Sequence, residues 1–154
     1  MGLMEDLAVQ LDFSELPDVH TCKGQGLSPR IRLGPLDPRV RSLAVVAIDP
    51  FEPGCSFVLW LLAGLPPLPE VPPAIPPEAV VTAPVPGVQG TGDGGRIGWQ
   101  APCASPDGPP HQLTLKVYGL DLVPDLAPGF SRDELVEAMR GHVVQFGATI
   151  ALVR

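Results

Sequence analysis

The stretch GWQAPCASPDGPPHQLTLKVYGLD, Gly98 to Asp121, decides the fold. It opens as a turn-rich loop containing Pro102, Pro106, Pro109 and Pro110, passes through His111, and continues with apolar residues at Leu113, Leu115 and Val117. That alternation is the mark of a strand with one buried face. Proline fixes φ, so the loop has little freedom left to lose on ordering. A histidine at the mouth of a strand, under such a loop, is held in place at small entropic cost. The stretch is therefore expected to form the centre of a binding pocket.

Working outward, Ser42 to Ile48 is a continuous aliphatic run, as expected of a strand buried on both faces, and it closes at Asp49-Pro50-Phe51-Glu52-Pro53. Phe57 to Ala63 reads as a second buried strand, and Leu7 to Phe13 as a first strand with Leu7, Val9, Leu11 and Phe13 on one face. Between them lies a loop, Cys22 to Pro29, whose Gly24 and Gly26 permit positive φ. Ile31, Leu33 and Leu36 are expected to cover one edge of the core, before a turn at Asp37-Pro38. Pro66 to Gly87 is too proline-rich for a central strand or a helix, so a Pro/Gly-rich surface excursion is expected over 66–95, within a single domain spanning 1–154. Ser131 to Glu134 is a capping box opening the one helix, which presents Leu135 and Met139 and stops at Gly141. His142 to Val153 returns to a strand-like pattern.

Composition agrees with short strands joined by turns: 21 prolines, 17 glycines and 5% aromatic residues in 154. The net charge of −7 argues against nucleic acid and against anionic membrane surfaces, both of which reward basic patches. The start, MGLMEDLAVQLDF, lacks a basic region and alternates in polarity, unlike a secretory signal, and the longest apolar run, Cys55 to Leu65, is about half a bilayer span. Three cysteines without a CxxC pair make a poor disulfide framework, so reduced thiols and a cytoplasmic location are expected. Asparagine is absent and arginine outnumbers lysine, a bias shared by thermophiles and by GC-rich genomes. Gly90 to Gly95 superficially resembles a phosphate-cradling loop, but no Lys-Ser/Thr opens a helix after it, so no nucleotide site is expected.

In order along the chain, CKGQGLSPRI, RSLAVVAIDPFEP, SFVLWLLAGLP, GTGDGGRIGWQAPCASPDGPPHQLTLKVYGLD and the closing helix with Gly141-His142-Val143 resemble the segments of the phosphatidylethanolamine-binding protein family, in its bacterial and archaeal, Raf-kinase-inhibitor-like branch. The resemblance covers most of the chain, from about Cys22 onward. It implies a mainly β protein, a Greek-key β-sandwich with short peripheral helices, including one near the C-terminus. It also implies a pocket for a small anion or phosphoryl head group, a binding and inhibitory rather than enzymatic role towards a partner protein, and a homodimer. Carried over residue by residue, the pocket uses Asp49, Pro102 and His111. Lys23 replaces the family's usual acid, Ser56 its second pocket histidine, Ala101 the glycine before Pro102, Gln112 an arginine and Leu113 a tyrosine. Each lost histidine or arginine removes a donor that would face an anion.

Asp49 and His111 then form a carboxylate–imidazole pair, in which the acid fixes the tautomer and favours the protonated ring. Taken alone, His111 reads rather as a strand-start histidine bonding its own loop, and the resemblance reverses that preference; Asp49 is also an Asp-Pro turn former. Ser56 is either a hydrogen-bonding remnant of the site or a strand-edge serine. The backbone beside Ala101 and Cys103 offers further donors. Cys103, next to the pocket, is read as a small buried apolar residue rather than one that tunes access or is oxidised, His20 and His142 as structural or exposed, and Trp60 and Trp99 as core or pocket wall. A metal needs three or four converging ligands, and only Asp49, His111 and Cys103 approach that, so no metal or cofactor is expected. The competing functions are a small hydrolase or isomerase using Asp49 and His111 as an acid–base pair, and a degenerate member acting only through its surface.

Overall fold

The structure, a computed structural model, describes residues 5–52, 55–105 and 107–154, the side chains of 50–56 excepted. Its strands are β1 (Glu5–Asp6), β2 (Val9–Gln10), β3 (Ile31–Leu33), β4 (Ser42–Glu52), β5 (Cys55–Leu65), β6 (Glu70–Val71), β7 (Val80–Val81), β8 (Gly87–Gln89), β9 (His111–Leu120) and β10 (Val143–Val153). One helix, α1 (Arg132–Met139), precedes β10. Seven strands form a large sheet in the order β1-β10-β9-β4-β5-β8-β7, and β2-β3-β6 form a small one. Every pairing is antiparallel except that of β1 with β10.

The patterning of β4 places it at the centre of this architecture. Leu43, Val45 and Ala47 face the core between the sheets, with Leu113, Leu115 and Val117 of β9 and Ile31 and Val71 of the small sheet. Ala44, Val46 and Ile48 face the opposite side, where Phe130, Leu135 and Met139 cover them. A strand packed on both faces has no polar position to alternate with, hence its uninterrupted apolar run. α1 supplies its part of that cover through residues one turn apart. Its start is fixed by the reciprocal bonds of the expected capping box, Glu134 N–H to Ser131 Oγ and Ser131 N–H to Glu134 Oε1, both 3.1 Å. Trp60 and Trp99 meet edge to face, 5.5 Å between centroids, inside the first core.

Three expectations are corrected. Leu7 to Phe13 is not one strand, because the chain leaves the large sheet after β1 and joins the small sheet at β2. The Leu7 N–H bonds the Phe146 carbonyl at 2.8 Å, and a Cβ on Gly147 would overlap the Leu7 carbonyl oxygen, so only glycine lets the chain cross there. The proline-rich excursion is not merely a surface feature. It carries β6 and β7 at sheet edges, where proline is tolerated, and buries Val71, Ile75, Val81 and Val85 in the core. The thiols are not all reduced either: Cys22 and Cys103 form a disulfide with Cα atoms 5.5 Å apart, within the range a bridge spans without backbone movement. Chain folding brings together two cysteines 81 positions apart, which no local spacing announces.

The loop before β4 is held onto β10 by polar groups. The buried Gln145 accepts from Asp37 N–H at 2.9 Å and donates to the carbonyls of Pro35 and Asp6 at 3.0 and 3.3 Å. The Asp37 carboxylate accepts from the Arg39 side chain through Nε and Nη2 at 2.9 and 3.0 Å, and from the Arg39 backbone N–H at 2.8 Å. These bonds, the guanidinium's first, hold its carboxyl down at about 2. An unfolded aspartate titrates near ~3.9, so this contribution to stability is complete above that pH and is lost as pH falls toward 2. Urea midpoints followed between pH 4 and pH 2 should fall less steeply in Asp37→Asn than in the parent, with ~pH 4 marking the onset. Parallel curves for the two proteins would assign the acid sensitivity elsewhere.

Candidate functional site

Asp49 lies near the end of β4 and His111 opens β9, its neighbour in the large sheet. The last β4–β9 pair is Ile48 with Thr114, so both side chains stand where the two strands begin to part. His111 Nδ1 and Asp49 Oδ2 are 2.7 Å apart. An ionised carboxylate only accepts, so Nδ1 carries the proton and donates it, and the tautomer is set. The side chains keep 17% and 13% of their surface exposed, enough to be reached and too little for water to screen the pair fully. Asp49 Oδ1 is buried and has no hydrogen-bond partner among the described residues. A buried acceptor left unpaired is costly.

The other expected site residues lie around this pair in different ways. Ala101 and Pro102 begin the loop that ends at His111, with Pro102 buried. The Pro102 carbonyl accepts from Cys22 N–H at 3.2 Å, which fastens this loop to the glycine-containing loop after Cys22. Gly26 sits at φ +68°, and a Cβ there would press to 3.2 Å from the Ala101 methyl, so the close approach of the loops needs its glycine. No hydrogen bond among the described residues joins Ala101 or Pro102 to the Asp49–His111 pair. Ser56 is on β5, and its side chain, like that of Glu52, lies outside the described residues, as does Pro106.

Two cavities flank the 101–110 loop. One, of about 450 Å³, is lined by Ala101, Trp99, Gln100, Arg96 and the Cys22–Cys103 bridge. The other, of about 350 Å³, is lined by Lys23, Arg154, Ser105, Gly108 and Pro110. Neither is lined by Asp49 or His111. Lys23 and Arg154 bring positive charge to a strongly acidic chain, although Lys23 Nζ also donates to the Arg154 carbonyl at 2.8 Å and Arg154 Nε meets Glu15 at 2.7 Å. Sequence reasoning missed this meeting of Lys23 and Arg154, which Glu15 and Asp18 share, because Lys23 reads as a departure from a family motif and Arg154 lies far away in sequence. Its signal is the paired register of Val153 with His111, which carries the following residue to the same sheet end.

His20 and His142 are structural, as expected. His20 Nδ1 lies 2.7 Å from the Leu27 carbonyl, and His142 Nδ1 lies 2.9 Å from Asp121 Oδ1 at the surface. Among the described residues no cluster of three His, Cys, Asp or Glu could hold a metal ion. Nor is any described helix long and apolar enough to cross a membrane.

The phosphatidylethanolamine-binding protein family profile matches residues 9–154. A UPF0098 protein of Pyrococcus horikoshii is 38% identical over 137 residues, covering 89% of this chain and 69% of the relative. A UPF0098 protein of Methanothermobacter thermautotrophicus is 33% identical over 143 residues, covering 93% of each chain. Among solved structures, a phosphatidylethanolamine-binding protein homologue of Chlamydia trachomatis superposes with a TM-score of 0.80 at 26% identity, covering 98% of this chain and 97% of that one. Escherichia coli YbcL gives a TM-score of 0.83 over 96% of this chain and 98% of its own, and at 19% identity it speaks for the fold alone. On the ordered motifs, the two-sheet architecture and these matches together, the chain belongs to the bacterial and archaeal branch of the phosphatidylethanolamine-binding protein family.

Proposed function

We propose that the protein is a non-enzymatic binding module that takes a small anionic, phosphoryl-type group at Asp49 and His111, beside Ala101 and Pro102. Ser56 is assigned to the same site through its place in the family motif, and regulation of a partner protein is the role it would serve. The observation that carries the reading is the largely buried Nδ1···Oδ2 contact of 2.7 Å, which fixes the orientation of the imidazole. The unpartnered Asp49 Oδ1 adds a preference for ligands that also bring a donor, so phosphoethanolamine should bind more tightly than inorganic phosphate.

Calorimetric titration with both compounds tests this. His111→Ala and Asp49→Asn should each weaken phosphoethanolamine roughly 10- to 100-fold, the scale of a hydrogen bond to a charged group. Equal affinity in the parent and both variants would sink the site. The same carboxylate–imidazole geometry also suits general-base chemistry, and turnover of simple esters abolished in both variants would favour that reading instead. A cytoplasmic location and a homodimer are further proposals, resting on the sequence reading and on the family respectively. Disulfides do persist inside cells of hyperthermophiles, so the bridge is compatible with the first. A solution mass of 16.2 kDa alone would remove the second.

A further inference from the structure

We propose that the Cys22–Cys103 disulfide is a thiol-exchange site that sets the order of loop 101–110, and through that loop the affinity of the Asp49–His111 site; the second half rests on the binding function proposed above. Both cysteines are exposed, so an external thiolate can reach them. Arg96 lines the same cavity as the bridge, a cation on the side where a thiolate is released on exchange.

The loop depends on the bridge because little else ties it down. Among the described residues, its only backbone hydrogen bond to the rest of the chain is the Pro102 carbonyl with Cys22 N–H, and Gly108 N–H bonds Ser105 within the loop itself. Ala101, Pro102 and Ala104 pack inward, while Ser105 and 107–110 are exposed. The bridge thus fastens the loop near its start, and the loop's far end is His111.

The exchange balances with a dithiol as reductant. One thiolate attacks a bridge sulfur, forming a mixed disulfide and releasing the other cysteine as a thiolate, which takes a proton. The second thiol of the reagent then displaces the remaining cysteine, so two electrons and two protons pass to the pair and the reagent leaves as a cyclic disulfide.

The test compares the oxidised protein, the dithiothreitol-reduced protein and Cys22→Ser/Cys103→Ser, each verified as folded by near-ultraviolet circular dichroism from Trp60 and Trp99. Hydrogen exchange is read at the amide of position 103 in all three proteins and at those of Ala104, Ser105, Asp107 and Gly108. Affinity is read with inorganic phosphate. Faster exchange confined to these amides in both reduced forms is expected, with phosphate binding weakened about fivefold or more. Unchanged exchange overturns the proposal, and loosened amides with unchanged phosphate affinity overturn the coupling. Phosphate binding to none of the forms overturns the function proposed above, and exchange then decides the loop's dependence on the bridge by itself. Where the double variant fails to fold, the reduced parent protein supplies both readouts.

Discussion

Reducing the Cys22–Cys103 bridge is expected to lower the free energy of unfolding by about 4.5 kcal/mol. That value is the loop-closure entropy for residues separated by 81 positions. The effect lives in the unfolded chain, which gains freedom when the crosslink opens, and it is an upper figure because real denatured chains are already compact. Against a typical domain stability of ~5–15 kcal/mol, it is a large share. Urea unfolding of the oxidised and reduced proteins should show a lower midpoint on reduction. The slope should be steeper as well, since the uncrosslinked chain exposes more surface. A direct count accompanies it: with three cysteines and two in the bridge, the denatured oxidised protein should titrate one thiol, and the reduced protein three. Three thiols in both samples would show that the bond does not form in solution.

This effect differs in kind from the loop-ordering role, and the two are separable. Global destabilisation raises exchange at the slowest amides throughout the sheets, whereas a loosened loop raises it only in 103–108, by opening that costs far less than unfolding. The hydrogen bond from Cys22 to Pro102 and the packing of Ala101 and Ala104 do not involve the sulfurs, so the loop is expected to retain part of its anchorage on reduction.

How much of this was legible in the sequence follows from which interactions are local. β4, β9 and α1 could be read because their patterns are set by a single chain segment facing a core: the run from Ser42, the alternation from Leu113, and the capping box at Ser131. The meeting of Asp49 with His111 needed the family's strand order in addition, because 62 positions separate them and adjacency of β4 and β9 is not a local property. The crossing at Leu7 was not legible, because its cause is a missing side chain at Gly147, on the other side of the chain. The bridge was missed for a related reason. An odd number of cysteines describes composition, while pairing depends on two loops being pressed together at Gly26 and Ala101.

Gln89→Leu should cost roughly 2–4 kcal/mol of stability, more than a substitution to a residue of similar size and greater hydrophobicity normally would. Gln89 is completely buried at the end of β8. Its Oε1 accepts from the Trp60 indole Nε1–H at 2.7 Å, and its Nε2 donates to the carbonyls of Pro76 and Glu78, each at 2.8 Å. One amide therefore joins the central tryptophan to the proline-rich segment, whose prolines have no N–H with which to form a ladder of their own. Leucine leaves the Trp60 indole N–H and the Glu78 carbonyl without this partner, while the Pro76 carbonyl keeps the Glu78 N–H at 2.8 Å, and a buried unpaired group costs about 1–3 kcal/mol. The Glu78 carbonyl is only partly enclosed, which places the expected loss toward the lower end of that sum. Gln89→Glu separates polarity from size. Its ionised carboxylate would face two carbonyl oxygens, so the folded state favours the protonated acid, and the variant should lose stability as pH rises. Urea midpoints for both variants, measured on either side of the ordinary carboxylate range, give the answer. A leucine variant as stable as the parent would mean that the segment around Pro76 is held by Ile75 and Val81 packing alone. A glutamate variant without pH dependence would mean that water reaches the Gln89 site.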